Sequence, residues 1–272
     1  MLRSLSHFTG STITATNGAI GHVSTAFFDD ESWAIRYLVI DTGNWLPGRE
    51  VLISPYAVKQ PVGSGKNINV SLTRDQIEGS PDIDTHQPVS RQHERDYLRY
   101  YDYPDYWNGG SIWGLGAYPR LPYPLTSEEV EANAAARQQD LRLADVHLRS
   151  SEKVTGYDIL ATDESIGHVQ DFIFDEESWA IRYLVIDTRN WWPGGRKVLV
   201  ATRWIESVDW VSSTVEVALT RDQVKNSPEY EDALTIERSY EQQLHVTYDK
   251  KGYWEEIGRI GKVVPNQSRH VQ

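Results

Sequence analysis

Apolar residues in the first hundred positions fall in short runs broken by turn chemistry, a pattern that predicts strands. Ile13 to Ala15 reads as a short extended segment, Asn17-Gly18 as a tight turn, and Ile20 to Phe28 as a second strand. A polar turn, Asp29-Asp30-Glu31-Ser32, precedes the longest run, Trp33 to Asp41. Alternation there sets Trp33, Ile35, Tyr37 and Val39 on one face and Ala34, Arg36, Leu38 and Ile40 on the other. Both faces are largely apolar, as in a central strand covered on two sides. "NWLPG" then turns the chain into "EVLI" (50 to 53), Pro55 stops that strand, and "NINVSL" (67 to 72) supplies a fifth. Thr73 and Gln76 have the spacing of a capping box, so a short helix follows, ended near Ser80-Pro81. If 91 to 101 is helical, His93, Tyr97 and Tyr100 or Tyr101 share a face.

The same grammar is written twice. "SWAIRYLVIDT" occupies 32 to 42 and again 178 to 188, and over residues 20 to 48 the copies agree at 22 of 29 positions. The offset is 146 up to Gly48 and 147 afterwards, because Gly194-Gly195 carries one more residue. "LRS" opens both copies, at 2 to 4 and 148 to 150. The chain therefore divides into a first unit with a helical tail (1–108), a Gly/Pro-rich linker with a short helix from Thr126 (109–147), a second unit with its tail (148–254) and a polar C-terminal stretch (255–272). The fold class expected is mainly β: two tandem small β-barrels, each followed by short helices.

Composition narrows the functions. The 272 residues include no cysteine, which removes disulfides, thiolate metal sites and cysteine nucleophiles. A net charge of −12, with no basic segment, argues against nucleic acid as a partner. The chain contains neither an apolar stretch long enough for a membrane span nor a secretory signal, so a soluble, cytoplasmic protein is expected. It has no nucleophile elbow, phosphate loop or dinucleotide fingerprint, and no residue set requires a cofactor.

"IGHV", an acidic turn, "SWAIRYLVIDT", "NWLPG" and "VLISP", followed by "IGHV", "SWAIRYLVIDT", "NWWPG" and "VLVAT", resemble the PRC-barrel domain. That is a small β-barrel similar to the cytoplasmic domain of the photosynthetic reaction-centre H subunit and to the barrel of a ribosome-maturation protein. The resemblance covers about 80 residues in each half, and the whole chain resembles bacterial tandem PRC-barrel proteins. It implies a binding or assembly module. Neither the membrane anchor of the first relative nor the extra domain of the second is expected from these residues, so neither specific partner is carried over.

Candidate chemistry is sparse. His22 and His168 match between copies but have no second ligand at metal spacing. Asp29-Asp30-Glu31 and Asp175-Glu176-Glu177 fall short of a calcium loop and read as solvated turns. Arg36 and Arg182 sit mid-strand among apolar residues and need a carboxylate, with Asp41 and Asp187 nearby but on the opposite face. Trp45, Trp191 and Trp192 in the turns and Tyr97, Tyr101 and Tyr240 in the tails, with the two arginines, are the candidate interaction residues. The expected function is a non-enzymatic protein-interaction or assembly module that docks an unspecified protein or a second copy of itself. The alternative is a small-molecule or cation-binding protein using the acidic turns or a cleft between the barrels.

Overall fold

The computed structural model describes residues 1–60, 66–81, 89–107, 111–114, 116–121, 147–232 and 236–255. The expected helix from Thr126 and the stretch beyond Glu255 lie outside the described residues. The structure is mainly β, built on two sheets. The strands of the first half are β1 (Leu2–Ser4), β2 (Thr12–Ala15), β3 (Gly18–Asp29), β4 (Ala34–Asp41), β5 (Glu50–Ile53) and β6 (Asn67–Asn69). The second half has β7 (Leu148–Ser150), β8 (Asp158–Leu160), β9 (Ser165–Asp175), β10 (Ile181–Asp187), β11 (Lys197–Ala201), β12 (Ile205–Asp209) and β13 (Thr214–Val217). One sheet runs β5-β4-β3-β2-β6 and the other β11-β10-β9-β8-β13-β12.

The remaining two strands change places. β1 pairs with β9, Leu2 opposite Asp175 and Ser4 opposite Ile173, while β7 pairs with β3, Leu148 opposite Asp29 and Ser150 opposite Phe27. Each "LRS" therefore completes the sheet of the other half. Reciprocal ion pairs lock the exchange: Arg3 Nε lies 2.5 Å from Glu176 and Arg149 Nε 2.7 Å from Asp30. Phe8, buried at the end of the helix Leu5–Phe8, packs edge-on against Phe174 and Trp179 of the other half at 5.4 and 5.8 Å.

The repeated "SWAI" forms the seam. Ala34 bridges Ala180, the Ile35 amide donates to the Trp179 carbonyl at 2.9 Å, and the Ile181 amide donates to the Trp33 carbonyl at 2.7 Å. Trp33 and Trp179 thus leave the strands predicted for them. Both have left-handed backbones, at φ 53° and 57°, and turn the chain so that their rings stack on Phe28 and Phe174. At Gly21 and Gly167 a Cβ would collide with the carbonyl of Asp41 or Asp187, so glycine lets β3 and β9 pass close under the ends of β4 and β10. The predicted capping boxes form at Thr73–Gln76 and Thr220–Gln223. Among the described residues no helix is long and apolar enough to cross a membrane.

Candidate functional site

In the first half the chemistry converges on Arg36. Its side chain is 3% exposed, and the nearest carboxylate is Asp29, at 3.9 Å, rather than Asp41. Strict alternation misled here because β3 and β4 slip register at Phe27/Phe28, and the Asp29-to-Ser32 turn curls back over the strand. Nη2 of Arg36 donates to Ser32 Oγ at 2.9 Å and Nη1 to the Ile112 carbonyl at 2.6 Å. The guanidinium lies 3.7 Å from the Tyr106 ring centroid and 4.7 Å from that of Trp113. Asp29 also accepts from the Ser32 amide and hydroxyl, both at 2.7 Å. Burial pushes its carboxyl up, but the Arg36 charge and these donors hold it below the ordinary value.

The segment expected to be a linker supplies the cover. Ser111 and Gly114 exchange backbone hydrogen bonds at 3.0 Å, and the Trp113 amide donates to Gly116 at 2.9 Å. That tight fold holds Trp113 at 4% exposure, its indole N–H donating to the Ser178 carbonyl of the other half at 2.7 Å. Alongside, Glu94 is fully buried: Tyr106 donates to one carboxylate oxygen and His147 Nε2 lies 2.8 Å from the other.

The second half repeats the frame, but among the described residues nothing meets its arginine as Ile112 and Trp113 meet Arg36. Nη2 of Arg182 donates to Ser178 Oγ at 3.2 Å, its ion pair is with Asp175 at 3.7 Å rather than Asp187, and it stands 4.2 Å over the Tyr253 ring. Asp187 is instead taken by Arg189 at 2.5 Å. Arg238 pairs with buried Glu241 at 2.8 Å, and Tyr183 donates to the same carboxylate at 2.8 Å. The position matching His147 is Met1, so here the imidazole comes from His245, whose Nε2 is 3.1 Å from the Tyr183 hydroxyl. Among the described residues no carbonyl meets Nη1 of Arg182. A cleft of about 600 Å³ opens beside it, walled by residues that include Leu2, Ile112, Tyr118, Ile236 and Tyr253.

The two imidazoles titrate in opposite senses. Burial would lower His147, but the Glu94 hydrogen bond and charge outweigh it, and its pKa lies above 6.5; Arg91 opposes this and Asp29 adds to it. Burial is the largest cause at His245 and lowers it, against the Lys251 and Lys250 carbonyls. A raised imidazole contributes stability that is complete below the unfolded value, 6.5, and is lost as pH rises through the folded one. A lowered imidazole costs stability as pH falls from 6.5 toward its folded value. In urea unfolding across this range, His147→Gln is expected to flatten the decline above 6.5, and His245→Gln the decline below it. Both variants acting on the same limb would contradict the assignment.

Other predicted residues are drawn into their own halves. Tyr97 is no surface anchor: it is 1% exposed, donates to the Leu52 carbonyl at 3.0 Å and accepts from the Ser54 amide at 3.1 Å. The buried face of the helix Arg91–Tyr100 carries Glu94, Tyr97 and Leu98, leaving His93 exposed. Tyr101 and Tyr240 are half-buried, their hydroxyls directed to the Gln76 carbonyl at 3.4 Å and the Glu229 carbonyl at 3.2 Å. Trp45 lies under Arg74 at 4.7 Å, Trp191 donates to Ser165 at 2.9 Å, and Trp192 lies under Arg221 at 5.4 Å. His22 is exposed beside Thr12, and His168 leans on Trp191. Among the described residues no cluster of His, Asp or Glu is arranged to hold a metal ion. The sequence pattern did not single out Glu94, Glu241 or Trp113, although Arg-x-x-Glu at 91 and 238 recurs in both copies.

A family model for the PRC-barrel domain matches residues 148–224, from β7 through the helix Arg221–Lys225. No curated protein matches the chain. The PRC-barrel domain is a general module that can mediate assembly.

Proposed function

We propose that the protein is a non-enzymatic interaction or assembly module, acting in the cytoplasm, in which residues 1–107 form a second PRC-barrel-like half. The inequality of the two arginine sites carries this reading. The frame at Arg36 is closed by the chain's own Ile112 and Trp113, whereas the frame at Arg182 opens into a cleft between the halves. The exchanged strands support a scaffold role, because they hold both frames in one body. The acidic turns give little support to cation binding, since Asp29, Asp30, Asp175 and Glu176 each face an arginine. A small-molecule ligand is the second reading, favoured by a cleft volume inside the usual range for such sites, about 300–1,000 Å³.

A photo-crosslinking residue at Tyr118, exposed at the cleft, compared with one at Val211, exposed in the β12–β13 turn, tests the reading in the source cell. A discrete crosslinked protein from Tyr118 and none from Val211 is expected; a product of two copies of this chain counts as self-assembly. Equal patterns from both positions, or no product from Tyr118, would sink it. A metabolite that raises the melting temperature while Tyr118 yields no product favours the second reading.

A further inference from the structure

We infer that the cleft beside Arg182 recognises a short peptide turn of a partner protein, one that presents a backbone carbonyl next to a bulky apolar or aromatic side chain. This rests on the interaction reading above and names the chemistry of the partner. The protein contains a worked instance of the contact. At Arg36, Nη1 donates to the carbonyl of Ile112 at 2.6 Å, and the next residue, Trp113, lays its ring against the guanidinium at 4.7 Å. Arg182 reproduces the remaining contacts of Arg36: a serine hydroxyl on Nη2, the carboxylate at the start of the acidic turn, and a tyrosine ring beneath. What differs is Nη1, which has no hydrogen-bond acceptor among the described residues, and the space beyond it, which is the cleft.

The charges select a neutral acceptor. Arg182 and the Met1 ammonium share Asp175, Arg238 pairs with Glu241, and Glu177 adds a third carboxylate, so three cations and three acids in the lining leave no net charge. A ligand carboxylate would gain nothing from the net charge of this lining and would stand close to its three acids. A peptide carbonyl needs one donor and brings no charge, so Nη1, with no acceptor among the described residues, suffices. The apolar walls, Leu2, Ile112, Ile236 and the Tyr118 ring, suit the neighbouring side chain.

The probe is the acetylated, amidated and dye-labelled peptide of residues 109–118, GGSIWGLGAY, titrated against the full chain by fluorescence anisotropy. Saturable binding is expected, weakened by about tenfold or more in Arg182→Ala, as for loss of a charged donor. Arg189→Ala, which changes an exposed arginine paired with Asp187, should leave it unchanged. Tyr118→Ala, at a 42% exposed side chain, is the second variant and should weaken binding without disturbing the fold. No saturable binding, binding indifferent to both Arg182→Ala and Tyr118→Ala, or competition by acetate as effective as by unlabelled peptide would overturn the proposal. So would binding seen only after removal of residues 256–272, which would give the cleft to the chain's own end. A Tyr118 crosslink without peptide binding defeats this inference and leaves the interaction reading standing.

Discussion

Arg36→Ala is expected to destabilise the chain by about 3 kcal/mol or more, while Arg182→Ala, at the matching position, costs about 1 kcal/mol. The same letter in the same eleven-residue repeat differs because its surroundings do. Arg36 is 3% exposed, and its removal strands the Asp29 carboxylate, 6% exposed, and takes the donor from the partly buried carbonyl of Ile112. It also takes the charge from between two aromatic rings, and loosens the Ser111–Gly116 cover that Trp113 anchors to Ser178. Asp29 keeps its three bonds from Glu31 and Ser32, which sets the estimate at the lower end for a broken buried pair. Arg182 and Asp175 are each about one-fifth exposed, so water replaces much of what is lost. Urea unfolding of both variants measures the contrast, and equal losses would show that the Ile112–Trp113 cover contributes nothing.

The strands were legible because the sequence marks them locally. "EVLI" is β5 residue for residue, the Asn17-Gly18 turn separates β2 from β3, and both capping boxes close as their spacing predicts. What alternation could not supply was the partner of each arginine, since a single register slip and a curled turn decide that. The identity of "SWAIRYLVIDT" has a cause that the strand pattern alone does not contain. At the seam Ala34 meets Ala180, and each tryptophan carbonyl accepts from the other copy, so a change in one copy disturbs a contact made with the other. The tripeptide "LRS" carried the plainest unread signal. Its repetition marks the two strands that trade sheets, but nothing within three residues says which sheet they join.

That trade sets up the second large effect. If the chain is split within 122–146 and the pieces are made separately, each lacks the strand that completes its sheet. Each piece retains an "LRS" of its own, so self-pairing by reciprocal exchange is open to both. The two halves have nevertheless diverged where the exchange is read. Asp171, buried beside β1, accepts from Ser4 Oγ at 2.5 Å, Ser6 Oγ at 2.7 Å and the Ser6 amide at 3.0 Å. The matching residue of the first half is Thr25, whose hydroxyl faces Ser151 at 3.0 Å. In a self-pair of the second piece, Glu152 would take the place of Ser6 and set a carboxylate against Asp171. Losing the Ser6 hydroxyl bond to Asp171, which is charge-assisted, and gaining a repulsion costs more than the roughly 1.4 kcal/mol that a tenfold change in affinity represents. Mixed pieces are therefore expected to form a one-to-one complex at least about tenfold tighter than the second piece's self-pair. Glu152→Ser in the second piece should narrow that gap by strengthening its self-association. Light scattering and dilution of the separate and mixed pieces decide the matter. A second piece that stays folded and monomeric, or self-pairs as tightly as it pairs with the first, would mean that β1 and Asp171 do not hold the halves together.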